Sequence, residues 1–114
     1  MKIRIRKADK LFRELLLKKR GEVCEKCGRP GRVEVSHFYG RRSESTRYDE
    51  DNCDLLCAFC HRQFHENPLS YVEWKKRRLG EKRFKELTIR AVMTKKRDDK
   101  LTEIFLKEQL KSCG

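Results

Sequence analysis

The sequence predicts an α+β fold, a small core of two strands and a helix with basic helices before and after it. Three observations predict it. Two CxxC pairs, Cys24 with Cys27 and Cys57 with Cys60, bracket a 29-residue insert that begins with a strand-like run around Val33 and Val35. Apolar residues recur at helical spacing on both sides of that segment. The composition, 37% hydrophobic against 42% charged in 114 residues, is lean for a core that must hold by burial alone.

The N-terminal "MKIRIRK" alternates apolar and basic residues with period two, and reads as an edge strand or an extended arm whose Lys2, Arg4, Arg6 and Lys7 meet phosphates. From Asp9 to Arg20, Leu11, Phe12, Leu15 and Leu16 repeat at helical spacing. Asp9 suits the N-cap, and Lys18, Lys19 and Arg20 suit the negative end before Gly21. "VCEKCGRPGRVEVSHFYGRR" predicts a CxxC turn, a Gly/Pro-rich reversal and a strand, "RRSESTRYDEDN" a polar loop, and "CDLLCAFCHRQFHENP" a second strand and a helix that Pro68 limits. Ser70 is the expected N-cap of the next helix, which Gly80 stops. A further helix is expected at about 81–95, and another at about 99–110 with Leu101, Ile104, Phe105 and Leu110 apolar. These elements divide the chain into a basic arm and helix (1–21), a core (22–68) and a basic helical extension (69–114).

Thirty Lys and Arg against eighteen Asp and Glu give a net charge of +12, which favours a polyanionic partner, nucleic acid first. No apolar run of membrane-spanning length and no apolar signal segment is present, so a reducing cytoplasm is the expected setting. In such a compartment cysteines serve as metal ligands or free thiols rather than disulfides.

Cys24, Cys27, Cys57 and Cys60 supply four thiolates, the donor set of a structural zinc. Zinc adds on the order of 10 kcal/mol to the folding of a small domain, and offsets the thin core. Cys53 and Cys113 fall outside the pattern as unligated thiols. "CAFCH" also matches a haem attachment motif, but that leaves the first CxxC unexplained and calls for export. The zinc deaminase signature fails, since Phe38 and Tyr39 follow His37 and Leu56 precedes Cys57. A Cys3His site that recruits His61 or His65 is the structural competitor.

His37 ends the first strand, Asn52 precedes the second knuckle, and His61 and His65 stand four apart on the helix, where both rings project from one face. Hydrolysis of a phosphodiester needs a base for water, a divalent ion at the phosphate and a group that holds the base in place, and His, Asn and His meet that list.

Over Val23 to Asn67 the sequence resembles the HNH, or ββα-metal, endonucleases, through "CEKC", "SHF", "YDEDN" and "LLCAFCHRQFH" in the family's order. Through "SHFYGRR", "TRYDEDN" and "NPLSYVEWKKRRLG" it is similar to the NinG, or Rap, recombination nucleases of phages. The resemblance implies a zinc-stabilised ββα core that nicks or cleaves DNA, with branched recombination DNA as a substrate class, in a bacterial or phage-infected host cell. It implies His37 as the general base, Asn52 as a metal ligand or a brace for the loop at His37, and His61 as a metal ligand or phosphate contact. His65 would be a further ligand, and the catalytic ion Mg²⁺ or Mn²⁺. Ser36 departs from the family, many of whose members place Asp or His there. The ion would then be held by Asn52, His61 and His65, or by a carboxylate of Glu34, Asp49 or Asp51.

Arg41, Arg42 and Arg47 in the loop can grip phosphate, or form a solvated charged loop. Lys75 and Lys76 extend the expected DNA contact. Tyr71 and Trp74 beside them either stack on splayed bases or, the favoured alternative, pack their helix onto the core. The chain is expected to be a monomer in isolation. The rival function is a zinc-ribbon module that binds nucleic acid without cutting it.

Overall fold

The computed structural model describes residues 6–40, 43–93 and 98–113. It divides into two compact units: Met1–Gly21 with Arg97–Gly114, and Glu22–Lys96.

The first unit is a pair of helices. Helix α1 spans Lys7–Arg20 and α5 spans Asp99–Cys113. Ala8, Phe12, Leu15 and Leu16 of α1 and Thr102 and Leu106 of α5 are buried where the two helices pack together. Asp9 is not the N-cap. It sits at the third helical position and accepts the Arg6 backbone N–H at 2.8 Å, while its own N–H donates to the Arg6 carbonyl at 3.0 Å. Helix α5 buries Thr102 and Leu106, and leaves Leu101, Ile104 and Phe105 exposed. Lys2 and Arg4 of the expected basic arm lie outside the described residues.

The second unit is a ββα core with two further helices on it. Strand β1 (Glu34–His37) pairs antiparallel with β2 (Cys53–Leu56), with Glu34 opposite Leu56 and His37 opposite Cys53. Helix α2 (Ala58–Glu66) follows directly, N-capped by the Cys57 sulfur. Asn67 rather than Ser70 caps α3 (Pro68–Leu79): its Oδ1 accepts the Ser70 N–H at 3.4 Å, and Pro68 at the first helical position has no N–H to leave unsatisfied. Gly80, at φ 82°, ends α3 through its N–H on the Lys76 carbonyl (2.8 Å), and its own carbonyl accepts the Phe84 N–H (3.0 Å) to start α4 (Glu81–Val92). A side chain disfavours that backbone conformation, so glycine suits this junction.

The core is small: Val33, Leu55, Leu56, Phe64, Tyr71 and Leu87 are buried, together with Cys24, Cys53, Cys57 and Cys60. Phe64 and Tyr71 stack at 4.3 Å between ring centres, and Trp74 packs against both, so Trp74 is a packing residue here. Such side chains stabilise by roughly 1.5–3 kcal/mol each, leaving the fold dependent on further staples. One is polar. Lys75 is 1% exposed, and its ammonium lies 2.9 Å from both Asp54 carboxylate oxygens, while the Tyr71 hydroxyl donates to Asp54 at 2.8 Å. This corrects the expectation that Lys75 meets DNA: its charge is neutralised inside the fold, tying α3 to β2. Burial pushes the Asp54 carboxyl upward, and Lys75 and Tyr71 oppose that push.

Candidate functional site: a cysteine cluster and a histidine cleft

The knuckle at 24–28 turns because Gly28, at φ 78°, returns its N–H to the Cys24 carbonyl at 2.8 Å. The Cys27 N–H points at the Cys24 sulfur and the Cys60 N–H at the Cys57 sulfur, each at 3.5 Å, so both CxxC turns offer amide hydrogens to their first sulfur. Glu25 joins this knuckle to the sheet, accepting the Leu55 N–H at 2.7 Å and pairing with Arg78 at 2.7 Å. The ligand atoms of Cys24, Cys27, Cys57 and Cys60 all lie within 4.8 Å of one another, and the sulfurs of Cys27 and Cys57 are 3.9 Å apart. A tetrahedral zinc with bonds of about 2.3 Å sets its sulfurs about 3.8 Å apart.

Electrostatics agree with that fit. Burial pushes the Cys24 thiol up, but the backbone amides of Cys27, Cys57 and Lys26 outweigh it and bring it down to about 6. Burial and the neighbouring sulfurs push Cys60 up to about 12. Four such groups ionise together only around a cation. The cluster therefore fits zinc with cysteines alone. His61 and His65 do not join it, which removes the Cys3His alternative.

Both histidines instead line a cleft of about 470 Å³, together with Ser36, His37, Phe38 and Tyr71. Helix α2 thus serves both places, with Cys57 and Cys60 at its start and His61 and His65 further along. Among the described residues no second group of three or more His, Cys, Asp or Glu side chains is as tight as the cysteine cluster.

His37 Nε2 lies 3.0 Å from the Arg47 carbonyl oxygen. A carbonyl only accepts, so Nε2 is the donor of this bond. His61 Nδ1 donates to Glu34 Oε1 at 2.8 Å. A carboxylate on the far nitrogen is how metal-binding imidazoles are commonly oriented. Ser36 is buried and its hydroxyl is 2.9 Å from that of Tyr71, within the Asp54 and Lys75 network.

Asn52 is 0% exposed. Its Oδ1 accepts the Tyr39 N–H at 2.8 Å, and its Nδ2 donates to the Tyr39 and Thr46 carbonyls at 2.9 and 3.0 Å. Of the two roles open to it, these three bonds fit the brace. Its amide spans the loop from Tyr39 to Thr46 and does not line the cleft. Asp49 and Asp51 likewise bind α4: Arg90 pairs with Asp49 at 2.6 Å and with Asp51 at 3.6 Å, and Arg83 hydrogen-bonds Asp51. Burial raises the Asp51 carboxyl, but Arg83 and Arg90 outweigh it and hold it below the usual carboxylate range.

Arg47 was expected to offer its guanidinium to phosphate. It is 5% exposed, with Nε on the Tyr48 hydroxyl at 3.2 Å, and its part at the cleft is played by its carbonyl. The buried Cys53 thiol points to the same carbonyl at 3.8 Å. No residue type in the sequence marks a backbone acceptor. Arg41 and Arg42 lie outside the described residues. Lys76 is exposed, 5.5 Å from the Phe84 ring centre.

Residues 24–67 match the family model described as HNH endonuclease. This segment is similar to HNH endonuclease domains. The HNH match ends at Asn67, so α3 and α4 lie beyond it although they belong to the same compact unit. No curated protein and no solved structure matches the chain. The narrower likeness to phage recombination nucleases therefore rests on its motifs alone. An HNH domain implies a nuclease-type activity and a nucleic-acid substrate, and the cysteine cluster fits a structural zinc. Among the described residues no helix is long and apolar enough to cross a membrane.

Proposed function

We propose that the protein is a divalent-metal-dependent endonuclease that nicks or cleaves DNA in the histidine cleft, with His37 as general base. The observation that carries the reading is the bond from His37 Nε2 to the Arg47 carbonyl, which fixes the ring in the wall of a cleft that His61 and His65 also line. In the reaction, water gives a proton to Nδ1 as its oxygen forms a bond to phosphorus and the bond to the leaving oxygen breaks. The imidazolium that results is stabilised by the Arg47 carbonyl dipole. Asn52 acts one step removed, by fixing the loop that holds that carbonyl.

His61, oriented by Glu34, and His65 are the residues that would hold the catalytic ion. Bound there, Mg²⁺ or Mn²⁺ supplies charge stabilisation to the phosphate and the leaving oxygen. Asn52 and Ser36 are engaged in internal hydrogen bonds and are not assigned to that ion. The motif likeness to phage recombination nucleases favours branched DNA as a substrate class.

Cleavage of supercoiled plasmid and of a four-way junction, with Mg²⁺ or Mn²⁺, tests the reading on zinc-loaded protein. His37→Ala is expected to lower kcat by about 10²–10⁴ at unchanged zinc content. Equal cleavage by wild type and His37→Ala would refute the assignment of the base. A wild type that binds both substrates and cuts neither is the zinc-ribbon binding module instead.

A further inference from the structure

A second cavity, of about 620 Å³, lies between α3 and α4, outside the segment that matches the HNH family. Its lining combines Lys76, Arg77 and Lys85 with Phe84 and Ile89, and one carboxylate, Glu81. Lys76, Arg77 and Lys85 are all exposed. Three cations to one anion around an aromatic and an aliphatic side chain is a distinctive mixture. A purely structural cleft between two helices has no need of the cations, and a duplex backbone, which presents phosphates and sugars outward, has no need of the apolar floor.

The cavity adjoins the histidine cleft in two ways. Val72 lines the cleft and Lys76 the second cavity, four residues apart on the same face of α3, hence about 6 Å along its axis. Phe38 lines the cleft and Phe84 the cavity, and their rings meet edge to face with centres 5.7 Å apart. The two sites thus share a wall.

We propose that the α3–α4 groove seats an unpaired DNA strand beside the cleft, with a base against Phe84 and Ile89 and its phosphates on Lys76, Arg77 and Lys85. Every base has an apolar π-face, so such a seat selects single-stranded over duplex DNA without reading sequence. The size of the cavity is within the range that encloses small organic ligands. Lys76 lies near the Phe84 ring on a flexible stem, so it moves to a phosphate as the base takes its place. The assignment rests on the nuclease reading for its substrate class.

Ile89 is 59% exposed, so Ile89→Glu places a carboxylate in the groove without opening the core. Fluorescence anisotropy with labelled oligothymidylate and a blunt duplex of equal length, on the zinc-loaded full chain without added Mg²⁺, measures binding. Wild type is expected to prefer the single strand, and Ile89→Glu to weaken that binding at least about tenfold while changing duplex binding less than about twofold. Arg77→Gln with Lys85→Gln is expected to reduce the salt slope for the single strand by about 1.4.

The proposal fails if wild type prefers the duplex, if Ile89→Glu binds the single strand as wild type does, or if it loses both forms equally. Plasmid cleavage measured in parallel separates the two readings. A cleaving wild type with unaltered strand binding by Ile89→Glu removes the groove and keeps the nuclease. Selective loss of strand binding by Ile89→Glu, with no cleavage by wild type, keeps the groove and removes the nuclease.

Discussion

Asn52 uses its whole amide on a single loop, one bond from Oδ1 and two from Nδ2, in a place that water does not reach. Truncation strands the Tyr39 N–H and the carbonyls of Tyr39 and Thr46 at once. Asn52→Ala should therefore cost about 3 kcal/mol, read as a lower thermal midpoint at equal zinc content. Its kcat should fall as well, because the same loop carries the Arg47 carbonyl that fixes the His37 ring. A midpoint within the error of wild type would show that the brace is not needed. Charge alone misleads at this scale. Arg47, Lys75 and Lys76 are all cations in a basic protein, yet Lys75 is sealed against Asp54, Arg47 contributes through its backbone, and Lys76 is exposed.

Helix α4 lies outside the family match but is fastened to the loop that the HNH motif depends on. The Tyr39 hydroxyl meets that of Thr88 at 2.9 Å, and the hydroxyls of Ser43 and Ser45 donate to the carbonyls of Ala91 and Arg90 at 3.1 and 2.5 Å. These are carbonyls of the last helical turn, where the i→i−4 ladder runs out; the Arg90 carbonyl also accepts the Met93 N–H at 3.3 Å. Arg90 adds two bonds to Asp49, at 2.6 and 3.3 Å. Arg90 is more than a third exposed, so a double-mutant cycle with Asp49→Ala should give only about 0.2–1 kcal/mol of coupling. The kinetic effect should be larger than that. Arg90→Ala is expected to lower kcat several-fold with little change in stability, since looser anchoring lets the Arg47 carbonyl drift from His37, and a misplaced catalytic group is costly in rate. A kcat equal to wild type would separate α4 from the chemistry.

For the molecule as a whole, the second unit has few large buried apolar side chains and one cluster of four thiols at the meeting point of its knuckle, its β2 strand and α2. Removal of zinc by a chelator at neutral pH should unfold this unit, seen as loss of helical circular dichroism and reversed by added zinc. Acid should act in the same direction. Protons and zinc compete for the same sulfurs, so affinity falls as pH falls, and the Cys24 thiol, held down to about 6, keeps its charge to lower pH than an ordinary thiol. Retention of the full spectrum in metal-free protein would show that the apolar core suffices.

The sequence by itself determined the zinc-type cysteine cluster, the ββα order and the likeness of residues 24–67 to the HNH family, because CxxC spacing, helical periodicity and a His-Asn-His series are local patterns that survive in one dimension. It also placed His37, His61 and His65 as candidates, and the fold gathers them around one cleft. It erred on the caps of α1 and α3, where two plausible capping residues lie within a few positions and the following backbone selects one. Only the tertiary structure decided which charges face inward, which carbonyl fixes His37, and that α3 and α4 build a groove against the cleft. Those depend on contacts between residues far apart in the chain, such as Lys75 with Asp54 and Arg90 with Asp49. Burial converts a charge from a surface group into an internal partner, and no local pattern records where that happens.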